Sequence, residues 1–198
     1  MNKETEDIKV IREMMEKSSK FFSLNGLSLV FAGIIACTGA AFEHFYRLKT
    51  VSMIYYFYPQ NIIVIADAFV IFLLAVGVIT WFCWRKSKKN YLPLFNNVTR
   101  NAAYSLLIPL ITGGVLAVIF LIRNAAGMTA PITLIFYGLA LLNASKYTFK
   151  EIHYLGICEI IVGLLAAIFI YHGLLFWTIG FGILHIIFGF FMYFKHDR

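Results

Sequence analysis

The sequence predicts an all-α protein, a bundle of six transmembrane helices with both termini on the cytoplasmic side. Three observations predict it. Of all residues 61% are apolar and only 14% charged, the apolar residues fall into six long runs, and the basic residues gather on one side of those runs. Soluble domains carry about 25% charged residues, so water is not the main solvent of this chain. A span needs about 20 apolar residues to cross roughly 30 Å of hydrocarbon. The 198 residues hold six such runs and little else.

Residues 1–20 come first and read as a separate cytoplasmic segment, with residues 21–198 as the membrane domain. Ile8, Ile11, Met15 and Phe22 share a helical stripe, and Glu13/Lys17 and Glu16/Lys20 are i,i+4 pairs. Its acidic and basic residues cancel, whereas helices that bind anionic lipid are usually Lys/Arg-rich. Two readings stay open: a solvated extension of the first span, or a helix that docks on the cytoplasmic loops or on a partner.

The apolar runs are 22–45, 62–84, 103–123, 129–145, 149–171 and 174–194. Barrel strands would alternate apolar and polar residues. These runs are apolar on all faces, and helices satisfy the backbone within them. The first run is longer than the apolar core of a signal peptide, so it reads as a retained span. In the third, Pro109 removes a helix hydrogen bond and Gly113-Gly114 follows a turn later, which suits either plain packing or a kink that shapes a cavity. Between the fourth and fifth, Thr148 and Glu151 fit a T-x-x-E capping box. No internal repeat of the transporter kind is evident.

Orientation follows from charge. Lys3, Lys9, Arg12, Lys17, Lys20, Arg85, Lys86, Lys88, Lys89, Arg100, Lys146, Lys150, Lys195 and Arg198 fall on one side, leaving only Arg47, Lys49 and Arg123 on the other. That asymmetry predicts a cytoplasmic location for the first set. The net charge of +7 therefore reads as topology, with no nucleic-acid partner. Trp81 and Trp84 before the run 85–89, and Tyr55, Tyr56 and Tyr58 before the second span, suit the two bilayer interfaces. The expected location is the cell (inner) membrane.

Ionisable residues within spans are costly and mark candidate sites. Asp67 lies near the outer end of the second span, where it is either structural or grouped with Glu43 and His44. Glu159 and His185 make a more specific case. Each lies thirteen residues from His172, where the chain turns between the fifth and sixth spans, or roughly 20 Å along each helix. In an antiparallel hairpin the two residues share one depth. Gly156 and Gly163 bracket Glu159 as Gly182 and Gly189 bracket His185, and small residues let helices approach closely in lipid. A carboxylate and an imidazole in contact could share one proton, bind a ligand, or simply hold the two helices in register.

Cys37, Cys83 and Cys158 all lie within apolar runs and form no disulfide or zinc spacing. No HExxH, GxSxG, P-loop or dinucleotide fingerprint is present, so the enzyme reading is the weaker one, and no cofactor or metal is assigned. The first expectation is non-enzymatic binding of a protein partner, a second copy of the chain or a small apolar ligand within the bilayer. The alternatives are a small proton-linked transporter using Glu159 and His185, and a membrane-embedded enzyme acting on a lipid or isoprenoid with the same pair as acid and base.

Three stretches carry a resemblance: Arg12 to Gly39 (REMMEKSSKFFSLNGLSLVFAGIIACTG), Tyr137 to Gly163 (YGLALLNASKYTFKEIHYLGICEIIVG) and Phe176 to Tyr193 (FWTIGFGILHIIFGFFMY). Over roughly half the chain they resemble a family of small, uncharacterised bacterial multi-pass membrane proteins. Similar sequences are sometimes labelled carotene oxygenases. That label implies histidines converging on one iron; here His44 and His172 fall at the outer edge, His153 and His196 toward the cytoplasm, and only His185 in mid-span.

Overall fold

A computed structural model describes residues 25–50, 60–89, 97–123 and 125–198, with side chains for all of these except 46–50 and 60–65. The 1–20 segment and Tyr55, Tyr56 and Tyr58 lie outside the described residues, and so do the side chains of Arg47 and Lys49. Among the described residues there is no strand, and six helices are long and apolar enough to cross a membrane. The chain is a multi-pass helical membrane protein.

The helices are α1 (Gly26–Thr50), α2 (Gln60–Lys89), α3 (Asn97–Ile122), α4 (Thr129–Ala144), α5 (Lys150–Ile168) and α6 (173–197). Several outrun their apolar stretches, because a helix bonds its own backbone in water as well as in lipid. Thus α2 continues through Lys86, Lys88 and Lys89, cations that suit the negative end of the helix dipole. Exposed Trp81 and Trp84 stand before them. The Arg85 guanidinium lies 5.6 Å from the Trp81 ring centre and the Lys88 ammonium 4.2 Å from that of Trp84.

α6 is built from α-helical Gly173–Trp177, π-helical Thr178–Leu184, α-helical His185–Met192 and π-helical Tyr193–Asp197. Its packing explains the shape of the bundle. α1 lies between α2 and α6, α4 lies between α3 and α5, and α6 joins the two groups through α1, α4 and α5. Contact between α1 and α6 is close because it runs through glycine. A Cβ added at Gly33 would stand 2.6 Å from the Gly182 carbonyl, and one at Gly189 2.7 Å from the Val30 nitrogen. α4 and α5 meet the same way, with the Gly156 carbonyl 2.6 Å from a Cβ added at Gly138.

The glycines that bracket Glu159 and His185 lie at such close contacts. Gly156 and Gly163 face α4, while Gly182 and Gly189 face α1, so neither set lines a contact between α5 and α6. The capping box is also absent: Phe149 is the N-cap of α5, without a side-chain cap bond, and the Thr148 hydroxyl donates back to the Ala144 carbonyl at 3.3 Å. Glu151 turns instead to α6. Pro109 lies inside a continuous α3, where partly buried Pro109 is followed by Gly113 against Phe136 and by Gly114, where an added Cβ would meet nothing within 4 Å among the described residues.

The end of the bundle bearing Asp197 is tied by polar contacts. Asn25 Oδ1 accepts from the Leu27 amide at 2.9 Å and so caps α1. Asp197 accepts from the Gly26 amide and from the Lys86 ammonium, both at 2.6 Å. Glu151 accepts from Lys195 at 2.7 Å and faces His196 Nε2 at 3.3 Å, and the His196 ring stacks on Phe149 at 4.3 Å. Above this layer Leu29, Leu141, Phe149, Ile152, Leu155 and Met192 form a buried apolar cluster.

Candidate functional site

One turn beyond that cluster, α5 and α6 bring Glu159 and His185 together. Glu159 is 0% and His185 3% exposed, and His185 Nδ1 lies 3.4 Å from Glu159 Oε1. Equal distance from the chain reversal puts them at one depth, and the turn of each helix points them at each other. The imidazole is held from two sides. Its Nδ1–H donates to the Gly180 carbonyl at 3.0 Å, which leaves Nε2 to accept the Tyr137 hydroxyl of α4 at 2.8 Å.

The π-helical segment makes the first of these bonds available. Gly180 stands five residues before His185, the spacing at which a π-helix would receive the residue's backbone amide. That amide instead bonds the Gly182 carbonyl, and the imidazole takes Gly180. A stack of rings closes one side: Tyr137 lies 5.4 Å from His185 and 4.9 Å from Phe181, and Phe181 lies 4.9 Å from Trp177.

Glu159 is treated differently. Among the described residues neither of its carboxylate oxygens has a hydrogen-bond partner, although His185 is close. Burying a polar group without one costs roughly 1–3 kcal/mol, and more for a charge. The site is also tightly packed. A Cβ added at Gly180 would collide with Leu134 and stand 2.5 Å from Glu159 Oε2, so the space beside that oxygen is smaller than a methyl group.

Asp67 lies apart from this site. It is half-buried on α2, with Oδ2 3.9 Å from the place of a Cβ on Gly39 of α1, and the Glu43 carboxylate is near enough to repel it. His44 lines an open cleft of about 440 Å3 between α1 and the start of α6, together with Ala40, Ala41, Tyr171, His172, Leu174, Leu175 and Thr178. Among the described residues no three His, Cys, Asp or Glu side chains gather as a metal site. Cys37, Cys83 and Cys158 are free thiols.

Two participants escaped the sequence reading. Tyr137 could have been noticed as a hydroxyl within the fourth span, but nothing in its spacing ties it to His185. Gly180 is a backbone acceptor only because α6 widens there. No protein-family model matches the chain, and no curated protein or solved structure matches it.

Proposed function

We propose that this chain is a small proton-linked membrane transporter in which Glu159 and His185 hold one exchangeable proton at the centre of the bundle. The observation that carries the reading is Glu159: a fully buried carboxyl with neither oxygen hydrogen-bonded among the described residues, 3.4 Å from an imidazole nitrogen. Carboxylate and histidine groups within spans are the usual elements of proton relays. A ligand of many atoms needs a pocket of about 300 Å3 or more, whereas Gly180 and Leu134 fill the place beside Glu159. A proton needs no such space, which favours this reading over a bound apolar molecule or a lipid-modifying enzyme at the same pair.

In this reading Tyr137 and the Gly180 carbonyl are positioning groups that hold the imidazole in one tautomer, and Glu159 is the group that changes protonation state. The charge asymmetry supports the further proposal that both termini face the cytoplasm and that the membrane is the inner one.

The test is infrared difference spectroscopy of the reconstituted protein across the neutral pH range. The wild type is expected to show a titrating carboxylic C=O band that Glu159→Gln removes while the protein still elutes as a folded species. Identical spectra for the two proteins would overturn the reading.

A further inference from the structure

The last turns of α2 have two faces of different character. Cys83 and Ser87 are buried, and Lys86 reaches inward to Asp197 at 2.6 Å. Trp81, Trp84, Arg85, Lys88 and Lys89 are exposed. At 3.6 residues per turn the first four of these fall within an arc of about 100°, turned away from Cys83 and Ser87. Among the described residues α2 is the least buried of the six spans and packs chiefly on α1, so within one chain this arc is turned to the bilayer.

Two cation–aromatic pairs organise the arc. Arg85 follows Trp81 and Lys88 follows Trp84 by four residues, the spacing that brings helix side chains together. The guanidinium stands 5.6 Å from one ring centre and the ammonium 4.2 Å from the other. Protein does not neutralise these charges. Among the described residues the ion pairs at this end join Asp197 to Lys86, and Glu151 to Lys195 and His196, and no carboxylate pairs with Arg85, Lys88 or Lys89. Three cations and two indole N–H groups, all donors with no acceptor of their own, stand where tryptophan marks the headgroup level of a bilayer.

We infer that this arc binds an anionic phospholipid. The phosphodiester supplies the negative charge and the acceptor oxygens that the arc lacks, and basic clusters beside a span attract such headgroups. A zwitterionic lipid brings its own cation, which competes for the same phosphate. The arc also continues into the membrane: by the same helical repeat Val70, Leu74 and Gly77 lie in line with it. Val70 and Leu74 are exposed. A Cβ added at Gly77 would meet nothing within 4 Å among the described residues, so an acyl chain can lie against the backbone between Leu74 and Trp81. Lipid binding here is independent of the proton held by Glu159 and His185.

The test is native mass spectrometry of the full chain in mild detergent, titrated with dioleoyl phosphatidylglycerol or dioleoyl phosphatidylcholine. Wild type is expected to bind the anionic lipid more tightly. Arg85→Gln combined with Lys88→Gln is expected to weaken that binding about 25-fold, at about fivefold for each cation near an anionic surface, and to leave phosphatidylcholine binding unchanged. Arg85→Lys combined with Lys88→Arg keeps both charges and is expected to keep the affinity. Arg100→Gln combined with Lys146→Gln removes as much charge from exposed positions outside α2 and is expected to have no effect. Equal affinity of wild type for the two lipids overturns the inference, as does an unchanged affinity in the Arg85 and Lys88 variant, an equal loss of both lipids in it, or an equal loss from the Arg100 and Lys146 variant. A wild type that runs as a dimer without bound anionic lipid assigns the arc to a second copy of the chain and overturns the inference as well.

Discussion

The α5–α6 pair carries two buried carboxylates about two helical turns apart, and they are handled in opposite ways. Glu151 meets Lys195 at 2.7 Å and His196 at 3.3 Å, close to the Asp197 ties with Lys86 and Gly26. Glu159 meets one imidazole at 3.4 Å, already committed to Gly180 and Tyr137, and its own oxygens have no hydrogen-bond partner among the described residues. The satisfied carboxylates hold helix ends together. The unsatisfied one retains free acceptor capacity, and that makes Glu159 the better candidate for a changing protonation state.

The comparison breaks first if the Asp197 layer is not structural. Asp197→Ala removes the acceptor of the Gly26 amide and a 2.6 Å partner of Lys86, with an expected loss of about 1–3 kcal/mol. A detergent thermal melt checks it; an unchanged Tm would demote the layer to a surface contact. Lys195 is 55% exposed, and an exposed pair is worth at most about 1 kcal/mol, so Lys195→Ala should cost less than Asp197→Ala.

The central pair is tested by a double-mutant cycle with Glu159→Gln and His185→Leu. Each change alters a group the other faces at close range, so a coupling above the additivity limit of about 0.3–0.5 kcal/mol is expected. Simple addition would mean that 3.4 Å proximity carries no energy. Tyr137→Phe deletes only the hydroxyl bond to Nε2 and should cost about 0.6 kcal/mol, the average for hydrogen bonds within membranes. Its melt should shift less than that of Asp197→Ala, while the Glu159 infrared band moves.

The smallest effect is expected at Pro109. Pro109→Ala restores a helix hydrogen bond in α3, a helix that packs chiefly on α4, so expression and Tm should hold. Lost folded protein would show that the proline is needed for packing.

The sequence alone determined depth. Hydropathy marked six spans, and counting outward from His172 put Glu159 and His185 at one level, because rise per residue is the same in every helix. Direction around each helix was a different matter. Spans apolar on all faces have no stripe to point inward; the bracketing glycines marked close-packing faces without saying which helix each would meet, and the fold turns those of α5 to α4 and those of α6 to α1. Tyr137 on Nε2, the Gly180 carbonyl exposed by the π-helical turn, and Asp197 over the start of α1 came from tertiary structure only. Each joins residues far apart in sequence or depends on a local widening of the helix, and the side-chain order of a uniformly apolar span encodes neither.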